Sequence, residues 1–371
     1  MRLLIGQTGA PTSVVNASLR GFLEAAAEHD VLALRGGPDG LVEGRLTPVT
    51  AADVPVAATR HGGSWLGAGR RAVTEADLDT ALDVLASNGV DGVALIGGNG
   101  TMALLHALAS RAAATGRDLS VVGIPKTVDN DLVGIDHCPG YGSAARYLTT
   151  VVPDLARDHA AMAGIEPVRI VETLGRSVGW LALAATWHRD DPAYAPHLVL
   201  IPELTFDRAA FLTAVQDALR AHGRAFVVVS EGAASEMTDD PFEAVNHTRI
   251  ILGGVSRALA GLVSTELGVA ARGEVLGMVQ RSSGALASDV DRAEAAEAGR
   301  HAAKLLADNA TGLMVGLHRR AGETVHDPVP LAEVAGRTRP VPPQWRSTNP
   351  ADLGDFHDWL APLLGQNGKA Q

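Results

Sequence analysis

The chain has a single cysteine, Cys138, so no intramolecular disulfide can form, and a reducing compartment fits. Aromatic residues are scarce at 4%, which argues against a stacking platform for single-stranded nucleic acid. Basic residues are outnumbered by acidic ones, and the net charge of −11 argues against a binder of the nucleic-acid backbone. A few local Arg and Lys still suffice to hold a phosphorylated metabolite. No run approaches the roughly 18 apolar residues of a membrane span. The opening Met1-Arg-Leu-Leu-Ile-Gly6 is too short an apolar stretch for a signal peptide. Low-complexity linkers and repeats of fixed period are lacking too. The expectation is a cytoplasmic protein with no nucleic-acid and no membrane partner.

What is present is a chain of 371 residues, 46% apolar and 20% charged, the composition of a soluble globular protein of two or three domains. Short apolar runs that end in glycine alternate with longer Ala/Leu-rich segments. Arg2–Gly6, Val31–Leu34, Gly92–Gly97 and Leu119–Ile124 read as strands, and Val14–His29, Glu75–Asn88 and Thr101–Ala114 as helices. Continuous apolar runs mark strands buried on both faces, and their alternation with helices implies a parallel sheet. The rhythm continues with helices over Gly142–Val152 and Ser177–Thr186 and strands over Arg169–Glu172, His197–Ile201 and Phe226–Val229. Arg319–Asp352, rich in Pro, Thr and Arg, reads as an extended tail that packs back on the body.

Three strand ends carry candidate chemistry. The first strand runs into Gly6-Gln-Thr-Gly9-Ala-Pro-Thr12-Ser13, small and hydroxyl residues before a helix. Such a turn offers free backbone N–H groups to an anion, or is simply a turn capped by Thr12 or Ser13. The third ends in Gly97-Gly98-Asn99-Gly100-Thr101, where adjacent glycines admit a ligand close to the backbone, Asn99 offers an oxygen and Thr101 can cap the next helix. The fourth ends in Pro125-Lys126-Thr127-Val128-Asp129-Asn130-Asp131. Two carboxylates, a lysine and a hydroxyl in one loop supply a base, a metal partner and a phosphate contact, the parts phosphoryl transfer needs. The plainer alternative is a solvated Asx-turn. Farther on come Leu174-Gly175-Arg176, Ser230-Glu231-Gly232 and Arg272 through Arg281, with arginines suited to a phosphate.

Taken together, "GGNGT", "PKTVDND", "LGR", "SEG" and "VLGMVQR" make the chain resemble the phosphofructokinase family over nearly its whole length, nearest the pyrophosphate-type branch. The resemblance implies two Rossmann-like αβα sandwich domains of α/β class, with the active site in the interdomain cleft. It implies a phosphoryl-donor domain over 1–137 plus part of 250–300, a sugar-phosphate domain over 138–250 plus part of 300–330, and a C-terminal extension over 331–371. By the same resemblance Asp129 is the general base, supported by Asp131, with Thr127 and Lys126 holding the sugar and the transferred group. Gly9, Ala10, Arg70, Gly97, Gly98, Asn99, Gly100 and Thr101 line the donor site. Leu174, Gly175, Arg176, Glu231, Arg272, Met278 and Arg281 bind the sugar phosphate. Mg2+ accompanies the donor, with Asn99 a weak ligand and Asp129 a ligand through water. A homodimer or homotetramer is expected.

The chain departs from the family pattern at several positions. Asn99 stands where many relatives have the magnesium-binding aspartate, and Ala10 replaces a second glycine. Met278 replaces the histidine of ATP-type relatives. Pro167 falls where those relatives have an arginine, with Arg169 displaced. The last two touch the acceptor pocket, so the expected acceptor widens from fructose 6-phosphate to closely related ketose 6-phosphates. Pyrophosphate-type relatives carry an aspartate at the position of Gly100, which repels the α-phosphate of a nucleotide. Glycine leaves that space open and favours ATP, whereas Lys126 resembles the lysine of pyrophosphate users. The expected reaction is phosphoryl transfer from Mg-ATP, with pyrophosphate as the alternative donor. A catalytically weak sugar-phosphate sensor is the alternative of another class. The glycine turn also resembles that of NAD and lipid kinases, which lack "PKTVDND" followed by "VLGMVQR".

Overall fold

The computed structural model describes residues 1–69, 71–187, 194–237, 242–243, 250–251 and 253–365. The chain forms two α/β units, Met1–Ser143 with Arg281–Arg339, and Ala144–Gln280 with Pro340–Gln371.

The first unit is built on a seven-stranded sheet. Its order from one edge is Pro328–Pro330, Leu313–Val315, Ser120–Pro125, Gly92–Gly97, Arg2–Gln7, Asp30–Leu34 and Leu46–Pro48. The inner strands are parallel and both edge strands antiparallel. Alternate residues of the inner strands feed two cores, as a strand buried on both faces requires. Leu3, Ile5, Ala94, Ile96, Val122 and Ile124 pack with Leu19 and Phe22 of helix Val15–Ala25 and Ala298 and Leu306 of helix Asp289–Ala307. Leu4, Val93, Leu95 and Val121 pack with Leu78 and Leu82 of helix Glu75–Ser87 and Leu105 and Leu108 of helix Asn99–Ala114. From the inner Arg2–Gln7 strand the chain adds Asp30–Leu34 on one side, then Gly92–Gly97 and Ser120–Pro125 on the other. That reversal between Arg2–Gln7 and Gly92–Gly97 is a topological switch point, where open α/β sheets bind ligands beyond the strands' carboxyl ends.

The second unit has a four-stranded parallel sheet in the order Ala271–Val275, Val168–Thr173, Ala225–Ser230, Leu198–Leu200. Helices Arg208–His222 and Val255–Leu267 cover it through Phe211, Val215, Leu259 and Val263. Trp345, Phe356 and Trp359 of the C-terminal segment gather around the buried Trp180.

Several boundaries differ from the sequence expectations. Residues 281–339 lie with the first unit, because Leu313–Val315 extends its sheet beside Ser120–Pro125. The expectation had put part of 300–330 with the second half. The expected extended tail contains a hairpin of His318–Arg320 and Glu323–Val325, the Pro328–Pro330 edge strand and short helices. The helix expected over Gly142–Val152 runs Tyr141–Met162, with Pro153 inside it, and the one expected over Ser177–Thr186 is only Trp180–Ala184. Among the described residues no helix is long and apolar enough to cross a membrane.

Candidate functional site

In the first unit, the loops after Arg2–Gln7, Gly92–Gly97 and Ser120–Pro125 are joined by direct contacts. The Thr8 amide donates to the Ile96 carbonyl at 2.9 Å, and the Thr8 and Thr101 hydroxyls hydrogen-bond each other. Thr101 thus ties two loops, and the cap position of helix Asn99–Ala114 falls to Gly98. Gly97 is demanded by space, since a Cβ there would lie 1.9 Å from Thr101 Oγ1 and 2.5 Å from Thr8 Oγ1. The first turn of that helix carries no acidic residue, and Gly100 is exposed in it. Backbone N–H groups at a helix start favour an anion. Helix Val15–Ala25 likewise has no side-chain cap; Thr12 Oγ1 accepts only a long 3.4 Å bond from the Val14 amide.

Lys126 is buried, and its Nζ donates to the carbonyls of Thr8, at 3.0 Å, and Ala10. Its amide donates to Gly97 O at 2.9 Å, so this one residue holds all three loops in register. Thr127 Oγ1 accepts from the Asp129 amide at 3.1 Å, which turns the chain across Val128. Asn130, fully buried, adopts a left-handed φ of 57°. That conformation costs about 1 kcal/mol in a non-glycine residue, least for Asn. Its Oδ1 accepts from the Cys138 amide at 3.0 Å. Asp131 Oδ2 accepts from Asn99 Nδ2 at 2.7 Å, while Asn99 Oδ1 is buried with no hydrogen-bond partner among the described residues. Burial pushes the Cys138 thiol up, so it is a packed group rather than a nucleophile.

In the second unit the ends of three adjacent strands carry the other expected residues. After Val168–Thr173, Gly175 takes φ 146°, and a Cβ there would lie 2.5 Å from Val178 O. Arg176 follows at φ 51°, its amide donating to Glu231 Oε1 at 3.1 Å, just past Ala225–Ser230. Burial and the nearby Glu172 raise the Glu231 carboxyl above its ordinary range. Leu174 donates its amide to Gln280 Oε1 at 3.1 Å, which pins the segment after Ala271–Val275. Glu172 is spent internally, accepting from the Gly254 and Ser256 amides at the start of helix Val255–Leu267. Arg272 is half-exposed and its Nη2 lies 2.7 Å from Glu166 Oε1. Met278 is 52% exposed and Arg281 sits in the short helix Val279–Ser282.

Gly9, Ala10, Gly97, Gly98, Asn99, Thr101, Lys126, Thr127, Asp129 and Asp131 are therefore gathered at the carboxyl ends of three inner strands of the first unit. Leu174, Gly175, Arg176 and Glu231 are gathered in the second. Arg281 belongs to the first unit and Arg272 to the second. Arg70 lies outside the described residues. Arg169 is buried among Asp158, Glu166 and Glu274. The residues not foreseen are Thr8, Asn130, Gln280 and Arg339. Thr8, Gln280 and Asn130 stand inside the strand-end motifs, but nothing local in the sequence signals their bonds.

The sequence model described as Phosphofructokinase matches residues 2–306. The chain belongs to the phosphofructokinase family. It is a 6-phosphofructokinase-like phosphotransferase. A protein named sulfofructose kinase, from Alkalicoccus urumqiensis, is 39% identical over 86% of this chain and 84% of its own. A pyrophosphate–fructose 6-phosphate 1-phosphotransferase from Xanthomonas campestris is 35% identical over 92% and 86%. A crystal structure of a pyrophosphate-dependent phosphofructokinase from Marinobacter aquaeolei superposes with TM-score 0.84 at 26% identity, covering 98% of this chain and 91% of that one. The fold is thus the two-unit α/β phosphofructokinase fold expected from the motifs.

Proposed function

We propose that the protein transfers the γ-phosphoryl group of Mg-ATP to a hydroxyl of a ketose that carries an anion at its sixth carbon. The observation that carries this reading is the Lys126–Asp131 loop, held beside the Gly97–Thr101 turn with a carboxylate, a hydroxyl and open helix N–H groups together. Asp129 takes the acceptor's proton, and the helix N-terminus after Gly98 receives the donor's phosphates. Gly9, Ala10 and the 97–101 turn bound the donor side. Arg176, Glu231, Arg272 and Arg281 bind the acceptor's hydroxyls and anion.

Among the described residues, no three His, Cys, Asp or Glu side chains are arranged to hold a metal. Asn99 Oδ1, beside Asp131 and without a hydrogen-bond partner among the described residues, is a neutral oxygen that fits a phosphate-borne Mg2+. The ion, when bound, screens the donor's negative charge.

For the donor, two features of the loop favour ATP. Gly100 leaves the first helical turn open, and the Lys126 ammonium is turned to the Thr8 and Ala10 carbonyls, so its visible work is to tie loops together. A pyrophosphate-dependent reaction is the second reading, supported by the names of relatives such as the Xanthomonas protein.

For the acceptor, the resemblance puts Met278 where ATP-type relatives have a histidine, so a thioether replaces a donor to a phosphate dianion, and Arg272 is partly neutralised by Glu166. Fewer positive contacts suit a sulfonate monoanion better than a phosphate monoester, which carries about −1.5 to −2. Sulfofructose is therefore the first acceptor, in keeping with the name of the Alkalicoccus relative, and fructose 6-phosphate the second. We also infer a homo-oligomer in the cytoplasm.

A coupled assay crossing sulfofructose and fructose 6-phosphate with ATP and pyrophosphate tests these choices. The expected result is turnover highest with sulfofructose and ATP. Turnover only with pyrophosphate overturns the donor assignment, and none with any pair favours the sensor.

A further inference from the structure

We infer that Arg339, from the far end of the chain, is a positioning residue for the catalytic loop. This rests on the reading of Asp129 as the base. Its Nε and Nη2 donate to the Asn130 carbonyl at 3.2 and 2.8 Å, and its Nη1 donates to the Asp136 carbonyl at 2.7 Å. Its own amide donates to the Asp131 carbonyl, also at 2.7 Å. One residue therefore meets three carbonyls of the loop that starts at Asp129.

The pattern matters because Asn130, between the two carboxylates, holds a left-handed φ. That conformation persists only where the surroundings over-determine it. The direction in which Asp129 and Asp131 point follows from the peptide planes on either side of Asn130. The guanidinium fork fixes one of those planes through the Asn130 carbonyl, and the bond that Asn130 Oδ1 accepts from the Cys138 amide fixes the side chain. Asp136 is held in turn by Leu317 and Arg319, through its amide at 2.9 Å and its carboxylate at 2.8 Å. The far end of the loop thus cannot shift to relieve the near end.

A cation inside a half-buried shell of carbonyls is an expensive arrangement, and burial lowers the guanidinium's pKa from its ordinary value to about 10. An apolar side chain would fill the same space without that cost. A planar fork with five fixed donors is the group that reaches several carbonyls at once, which a lysine cannot do.

The test uses the full chain with Arg339→Lys, Arg339→Ala and Asp129→Asn, with the folded fraction of each measured by near-UV circular dichroism. Misplacing a base by a fraction of an ångström costs rate rather than affinity. The Arg339 variants are therefore expected to lose about ten- to a hundredfold in kcat per folded chain. KM for donor and acceptor should stay within about threefold. Dilute guanidinium chloride should restore part of the rate of Arg339→Ala, where equal sodium chloride does not. A wild-type kcat in Arg339→Lys overturns the inference. So does a loss of activity that only follows the loss of folded protein and is not rescued. An active Asp129→Asn instead overturns the reading of the base, which is a separate failure.

Discussion

At the scale of single residues, the site combines groups with distinct jobs, and each predicts a different loss. Asp129→Asn keeps the size of the side chain and the bond of its amide to Thr127, but removes the basic oxygen. The rate should fall by about 10²–10⁴, with KM for both substrates little changed. Steady-state kinetics that return a near-wild-type kcat would refute the assignment. Gly97→Ala fails for a different reason. The added methyl would have to displace two paired hydroxyls, Thr8 and Thr101, that join neighbouring loops. Overpacking of that kind costs about 1–3 kcal/mol or more, so the urea midpoint should drop visibly. An unchanged midpoint would mean the loops are looser than described. Gly100→Asp separates donor choice from stability. A carboxylate in the first turn of helix Asn99–Ala114 interacts favourably with the helix dipole, so the fold should not suffer. Its charge repels the α-phosphate of a nucleotide, so ATP use should fall far more than pyrophosphate use. Equal losses with both donors would sink the argument from Gly100.

At the scale of elements, the three loops of the first unit were legible because each follows a strand and carries its chemistry locally. The strands themselves were legible because unbroken apolar runs such as Gly92–Gly97 have no other comfortable home. Less legible was what holds the loops still. Lys126 reads as a phosphate ligand from sequence, yet its hydrogen bonds to Thr8 and Ala10 depend on strands more than 100 residues apart. Arg339 and Asp131 are joined across an even longer span that no local pattern announces. The same holds for the start of helix Tyr141–Met162, whose amides at Gly140 and Ser143 are accepted by Asp291 of helix Asp289–Ala307 at 2.9 and 2.8 Å. Burial raises the Asp291 carboxyl from 3.8 to about 6. The folded chain therefore keeps that proton where the unfolded chain has lost it, and the stability this group contributes falls as pH rises from near 4 to above about 6. Relative to Asp291→Asn, which has no charge to bury, the wild type should lose stability over that window. Urea denaturation of both proteins at several pH values reads the difference, and a gap that does not change with pH would contradict the shifted carboxyl.

At the scale of the whole molecule, the chain crosses between its units at 143/144, 280/281 and 339/340, so neither unit is a continuous stretch of sequence. The sequence expectation puts one boundary near residue 137, and composition offers no sign of the crossings at 280/281 and 339/340. The described residues after Arg339, 340–365, pack on the second unit. Val199 donates its amide to the Thr348 carbonyl at 3.0 Å, and Val341 donates to Glu203 at 2.8 Å. Trp345, Phe356 and Trp359 lie with ring centroids 5.9, 6.4 and 5.2 Å from that of Trp180. In a chain with so few aromatic residues, that concentration makes the tail a source of packed apolar area for the second unit. Phe356 is fully buried in the cluster, so Phe356→Ala removes a ring and leaves a cavity that neighbouring rings cannot collapse into without losing their own contacts. The expected cost is about 3–5 kcal/mol. Tryptophan emission reports the event directly, since Trp180, Trp345 and Trp359 surround the deleted ring. The red shift on unfolding should move to markedly lower urea in the variant. A midpoint equal to that of the wild type would mean that the tail only rests on the unit and that its core is complete without it.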